Sequence, residues 1–210
     1  MTPIKSPARL AGLVIAATWT FCAMKVVMIA VMAINLAVLF GWAPATFPYG
    51  TFGRFVGVSV VGNLGVQVVA SVLSLVWIHR VALNAQRLAR YSLPISSGWA
   101  VGWYFIPVGA LWKPFEAIEQ TWKASLSPQA WRSVPTPSLL RWWWGFWLAG
   151  GAAGGLFGFL TKMGVKNQVF SSMALIVISA LIVGQCVLFN RVVRRLTDLQ
   201  TSAVDVGVFD

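Results

Sequence analysis

The apolar residues of this chain gather in long unbroken runs, not in the one-sided stripes that a water-soluble helix presents. Such runs occupy Val26 to Trp42, Phe55 to Ile78, Trp142 to Leu160 and Gln168 to Asn190. A hydrocarbon core of about 30 Å takes roughly twenty helical residues to cross. The first run is marginal at seventeen residues, but it can borrow from the apolar stretch before Lys25. Backbone groups in lipid must find their partners internally, so the runs predict helices, and the alternating pattern of a membrane β-barrel is absent. The fold class read here is all-α: an integral membrane bundle with four transmembrane helices at about 26–42, 55–79, 142–160 and 168–190. A Trp/Pro-rich re-entrant or interfacial segment lies between the second and third spans.

The polar breaks divide the remainder. Residues 1–25 read as a cytoplasmic tail and interfacial helix, 26–195 as the membrane domain and 196–210 as a cytoplasmic tail. Residues 10–42 fit either one helix or two. Lys25 sits at the join, and its long stem can snorkel, which places it near the cytoplasmic headgroups with Leu10 to Met24 partly along the membrane. Lys5 and Arg9 before an apolar stretch resemble a signal peptide, but no small-residue cleavage site follows, so the segment reads as uncleaved. Gly41 to Arg54, with Pro44 and Pro48, reads as an external loop. The second helix should project to about Arg90, because no breaker comes before Pro94. A Pro-rich linker, Ser127 to Ser138, precedes the third span, and Arg191, Arg194 and Arg195 anchor the end of the fourth.

Gly98 to Trp112 is apolar enough for lipid, but as a helix its fifteen residues would reach only about 22 Å. Pro107 removes a backbone donor, and Gly102 and Gly109 loosen the chain on either side. Broken backbone at membrane depth requires cover, so neighbouring helices are expected to shelter it, as they do at many transport sites. Pro114 then suits the first turn of a helix, with Glu116 near its positive end. Phe115, Ile118 and Trp122 share one face, while Glu116, Glu119, Gln120 and Lys123 share the other. That pattern describes a helix lying in the interface, with Glu119 and Lys123 as an i,i+4 pair. The re-entrant or interfacial unit is bounded at 98–125.

Composition agrees with the membrane class: 210 residues, 58% apolar, twelve Trp, five acids and a positive mean hydropathy. The net charge of +11 raises nucleic acid as a partner. Its distribution argues against one. With four spans, the side holding both termini carries thirteen Lys and Arg, and the other side carries three: Arg54, Lys162 and Lys166. The positive-inside rule then puts both termini in the cytoplasm, and attraction to anionic lipid accounts for the excess. A fifth span at the Trp-rich segment would make the count eight against eight.

No assembled chemistry emerges. Trp77, Arg80 and Asn84 share a face at the end of the second span, where Arg80 could bind lipid phosphate or pair with Glu116 or Glu119. His79 has no second ligand at metal spacing and no nucleophile motif beside it. No axial pair suggests haem. Cys22 and Cys186 read as free buried thiols. Asn35, Asn63, Gln67, Gln185 and Asn190 either bond across helices or line a polar path. No span holds an acid, which weakens an ion-coupled transporter. Gly150, Gly151, Gly154, Gly155 and Gly158 give overlapping small-x-x-x-small registers for helix packing, inside the chain or with another copy. Arg141 to Trp147 reads as an interfacial aromatic belt. Catalytic, metal and cofactor residues are none, and the chain is expected not to be an enzyme.

Trp77-x-x-Arg80-x-x-x-Asn84, then Gly98-Trp99-Ala100-Val101-Gly102-Trp103-Tyr104-Phe105-Ile106-Pro107, then Leu111-Trp112-Lys113-Pro114, Trp122-Lys123-Ala124-Ser125 and the Trp142 to Trp147 run occur in this order. The set resembles the bacterial Domain of Unknown Function 4328 family over roughly residues 74–195. Ala110 stands where that family commonly has Asn. The resemblance implies a multi-pass membrane protein and brings no reaction, substrate or cofactor. Trp77, Arg80, Asn84, Trp99, Trp103, Pro107, Trp112, Lys113, Pro114, Glu116 and Trp122 are the candidate partner-binding, lipid-binding or signature residues. The expected role is a non-enzymatic membrane subunit that engages a partner protein or lipid on its cytoplasmic side. Membrane lipids, a partner membrane protein or a homo-oligomer are the partners considered. The alternative is a small channel or transporter in which the broken segment lines the pathway with Asn63, Gln67 and Gln185.

Overall fold

The computed structural model describes residues 6–42, 49–89 and 92–206. Among the described residues 85% are helical and none is in a strand. Six helices follow in order: α1 (Ala8–Leu39), α2 (Tyr49–Leu88), α3 (Ser97–Gly102), α4 (Lys113–Leu126), α5 (Ser138–Lys162) and α6 (Gln168–Val206). Short 3-10 turns occupy Trp103–Phe105, Gly109–Leu111 and Trp131–Ser133. Three helices, α1, α2 and α6, are long and apolar enough to cross a membrane. At 25 residues α5 reaches about 37 Å, but its four Trp and six Gly add little hydropathy, which sets it apart from those three.

The long helices run up and down, α6 along α1 and α5, and α1 along α2, while α4 bridges α2 and α6. Burial concentrates at one end. Ala11 and Val14 of α1, Trp77 and Val81 of α2, Ile118 and Trp122 of α4, Trp143 and Trp144 of α5, and Phe189, Val193 and Leu196 of α6 form one core. Toward the other end the apolar side chains face outward: Val58 and Val61 are each 74% exposed, and Leu156, Phe159, Met173 and Val177 are likewise open. A small cluster of Met28, Val31 and Met32 against Leu175 and Ile176 ties α1 to α6 there. Asn35 Nδ2 donates to Ser172 Oγ at 3.1 Å across the same pair.

Several boundaries differ from the sequence reading, each for a local reason. α1 is one helix, because nothing between Ala8 and Leu39 interrupts its hydrogen bonds, so Leu10 to Met24 continues on the axis of the rest. Lys25 stays on that helix with Nζ 4.8 Å from the centre of the Phe21 ring. α2 already includes Gly50, Gly53 and Arg54, whereas Pro44 and Pro48 lie outside the described residues. At its far end α2 reaches Leu88, close to the expected projection. α6 runs on to Val206, and the supposed tail from residue 196 buries Leu196, Thr197 and Gln200. Val192, Val193, Leu196 and Gln200 recur at helical spacing, so that segment has an inner face.

The glycine stripe does not do what its spacing predicts within the chain. A Cβ on Gly150 would meet Ile182 at 3.8 Å, but Gly151, Gly154, Gly155 and Gly158 have no neighbour within 4 Å. The close approach of α5 to α6 occurs instead at Gly184, where a Cβ would sit 2.6 Å from the Phe146 ring. The aromatic run is also divided: Trp142 is exposed as a belt residue should be, whereas Trp143 and Trp144 enter the core.

Candidate functional site

The signature face of α2 is a structural brace. Trp77 and Asn84 are fully buried. Trp77 Nε1 donates to Thr197 Oγ1 at 3.3 Å, and its ring meets Phe189 edge-on with centroids 6.0 Å apart. Asn84 Nδ2 donates to Gln200 Oε1 at 3.1 Å, while Gln200 Nε2 donates to the Val81 carbonyl at 2.8 Å and to Ser125 Oγ at 3.0 Å. One buried amide thus joins α2, α4 and α6. Arg80, on the same face, is half-buried, and the expected pair with an α4 acid does not form. Glu116 is taken by Lys113 at 2.7 Å and Glu119 by Lys123 at 2.8 Å, each a partner within one turn of the same helix.

α4 begins as its sequence predicts, with Pro114 in the first turn and Glu116 near the positive end. Its apolar face is not laid on lipid, however. Ala117, Ile118, Thr121, Trp122 and Ser125 are buried against α2 and α6, so this amphipathic helix caps the bundle. Gln120, read as part of the polar face, is buried too and clamps the preceding loop: Ile95 N donates to its Oε1 at 3.1 Å, and its Nε2 donates to the Ile95 carbonyl. Gln86 Nε2 donates to that carbonyl at 3.2 Å, and His79 Nδ1 lies 3.1 Å from the Ser97 carbonyl. Ser96 then caps α3 by accepting from Trp99 N. These bonds hold Trp99 and Trp103 opposite α4.

Between that loop and α4 lies a cup of about 410 Å³. Trp99, Trp103 and Trp131 form its walls, and the two Lys–Glu pairs stand on its rim. The rings of Trp99 and Trp103 are 5.0 Å apart, and the buried indole N–H of Trp131 has no acceptor among the described residues. Desolvation would raise the pKa of Glu119. Hydrogen bonds from Lys123 and Thr136, with the charges of Lys123 and Arg141, outweigh it and hold the carboxyl below its ordinary value. The cup therefore offers aromatic faces, fixed carboxylates and ammonium groups together.

The Pro107 turn supplies its own backbone partners. Ala110 N donates to the Ile106 carbonyl at 2.7 Å, Leu111 N to Val108 and Trp112 N to Gly109, while Trp144 Nε1 donates to the Leu111 carbonyl at 3.0 Å. A Cβ on Gly109 would lie 2.6 Å from the Trp103 ring, so a larger residue there requires that ring to move. The expected shelter is thus only partial: Gly109 and Ala110 are buried, but Phe105 is 72% exposed, and Pro107, Val108, Leu111 and Trp112 are also open. The turn presents a bare apolar edge.

On the other side of the Trp103–Phe105 turn a cleft of about 300 Å³ opens between α2 and α5, which have no extended contact with each other. Phe21, Leu75, Tyr104, Phe105, Trp147 and Phe189 make it largely aromatic, and Gln67, Ser71 and Gln185 add polar groups. Two residues of the broken segment therefore share a cavity with two of the three amides expected on a polar path, while Asn63 is buried elsewhere. Sequence reasoning missed Gln200, Gln120, Trp131 and Gly184. Only Gln200 carried a signal, as a polar residue on the inner stripe of α6.

Long apolar helices closed at one end by a Trp-rich cap define an all-helical protein with the character of a membrane bundle. Comparison with known families matches residues 50–198 to the family described as domain of unknown function (DUF4328), and the chain belongs to that family. The match extends beyond the motifs at 74–195 to include the whole of the α2 helix apart from its first residue. Neither the curated proteins nor the solved structures contain a match to the chain.

Proposed function

We propose that this is a non-enzymatic, four-span protein of the bacterial inner membrane, with both termini in the cytoplasm, that binds lipid headgroups through the cup on its cytoplasmic side. The carrying observation is the cup itself, in which Trp99, Trp103 and Trp131 surround two Lys–Glu pairs. A zwitterionic headgroup suits it: indole faces and the Glu116 carboxylate attract an ammonium, and Lys113 and Lys123 attract a phosphate. The exposed edge from Phe105 to Trp112 supports an interfacial or re-entrant setting, because Trp and apolar side chains favour that depth. α5 serves as the fourth span in this reading: its 25 residues cover the hydrocarbon thickness, and Lys162 at its far end suits the opposite interface.

Native mass spectrometry from gentle detergent tests the reading, paired with pull-down of associated proteins. Retained phospholipid that falls on replacing Lys113 and Lys123 by Ala supports it. A lone monomer, or a retained protein partner without lipid, overturns it. A second reading, a small channel or transporter, rests on Tyr104 and Phe105 sharing the cleft with Gln67 and Gln185. Solute or ion flux in proteoliposomes that falls on Pro107→Ala would favour it.

A further inference from the structure

The cleft between α2 and α5 presents polar groups that the protein itself does not satisfy. Gln67 and Ser71, both exposed, and the half-buried Gln185 line it with no hydrogen-bond partner among the described residues. Nearby, Thr18 Oγ1 donates to Asn190 Oδ1 at 2.6 Å, and Ser74 Oγ to the Ala70 carbonyl at 2.7 Å. An amide without a partner is costly where water is scarce, so these groups point to an occupant.

The depth of the cleft says what that occupant carries. Twenty residues, about 30 Å, counted from Leu39, Lys162 and Gln168 toward the packed end reach Trp19, Trp142 and Leu188. Trp142 and Trp19 are both exposed there, as residues of an interfacial belt are. The cleft spans that level, with Phe21, Trp147 and Phe189 beside it. In a bilayer this is where acyl chains meet their glycerol esters. The cleft is open at the side because α2 and α5 do not close over it, its walls are apolar and aromatic, and it holds two side-chain amides, Gln67 and Gln185, whose N–H groups suit a carbonyl oxygen.

We infer that the α2–α5 cleft is an acyl-lipid site that takes one chain of a membrane glycerolipid and binds its ester carbonyl through Gln67 and Gln185. This site is separate from the headgroup cup, since the Trp103–Phe105 turn gives Trp103 to the cup and Tyr104 and Phe105 to the cleft.

The test uses the full chain in vesicles of phosphatidylethanolamine and phosphatidylglycerol, with a phosphatidylethanolamine probe that carries a photoreactive diazirine near the ester end of one acyl chain. After irradiation, peptide mapping should place adducts preferentially on Ser71, Ser74 and Phe105 over the open faces at Val58 to Leu64. Gln67→Leu with Gln185→Leu should lower the cleft adducts about threefold to tenfold, the loss of a net hydrogen bond or two. Ser71→Trp fills the cleft from an exposed position without touching the core and should abolish them. Replacing Lys113 and Lys123 should leave them unchanged, so failure of the cup and failure of the cleft are read separately. Adducts spread evenly over the apolar surface, or a cleft yield indifferent to Ser71→Trp, would overturn the inference.

Discussion

The two ends of this bundle both carry apolar sequence and solve opposite problems with it. At the packed end, helices α2 and α6 continue past the level where lipid would stop, and α3, α4 and the aromatic start of α5 close around them. There the apolar groups face inward, Gln200 bonds to Asn84 and Ser125, and Gln120 bonds to the Ile95 backbone. At the open end the same helices show Val, Leu, Phe and Met outward and touch one another sparingly. Burial inside the chain stabilises the first end, and the solvent around the second must be apolar. A run of hydrophobic residues carries no label saying which of these it serves.

The contrast can be broken first at Trp77. Its side chain is fully buried against the Phe189 ring and Thr197 of α6, so Trp77→Ala should cost about 3–5 kcal/mol and lower the melting temperature in detergent sharply. Val61→Ala at the open end should change it little; equal losses would mean that the packed end is not the stability core. Gln200→Leu comes next, at about 1–3 kcal/mol, because Asn84 and Ser125 lose the partner that joins three helices. Thermal unfolding followed by Trp fluorescence reads it, and an unchanged midpoint would refute the brace.

Two glycine substitutions sharpen the same comparison. Gly184→Ala forces the Phe146 ring aside and should cost about 1–3 kcal/mol, whereas Gly154→Ala meets open space and should fall within about 0.5 kcal/mol in monomeric detergent preparations. A reversal of that order would contradict the packing of α5 on α6. The smallest effect is electrostatic. Since the Glu119 carboxyl is held below its ordinary pKa in the folded protein, it adds stability above the usual glutamate range and loses it as pH falls through the lowered value. Glu119→Gln should therefore flatten the acid limb of a melting-temperature profile and leave the neutral region nearly unchanged.

How much of this was legible depends on which physical signal carried it. The long helices, the first turn of α4, the Glu119–Lys123 pair and the Pro-rich linker all follow from local patterns, because periodicity, proline and i,i+4 spacing act within one segment. The Trp/Pro unit was visible as a break, and its family motifs were in order. What stayed hidden depends on meetings between segments. Trp77 and Asn84 look like an interfacial anchor until α6 is known to run on beside them. The α4 face of Ile118 and Trp122 is equally suited to lipid or to protein, and only the tertiary contact decides. The glycine stripe shows the reverse error: small residues permit close approach but do not bring a partner, and the approach occurred at the lone Gly184.

Both readings of the packed end rest on its lying at the cytoplasmic face with the Trp/Pro unit not crossing. Sided cysteine labelling tests that most directly, in a background with Cys22 and Cys186 replaced by Ala and single cysteines placed at Ser92, Gln129 and Lys166, all exposed. A membrane-impermeant maleimide should label Ser92→Cys and Gln129→Cys only in inside-out vesicles, and Lys166→Cys only in intact cells. Labelling of the Ser92 and Gln129 positions from opposite sides would contradict the account.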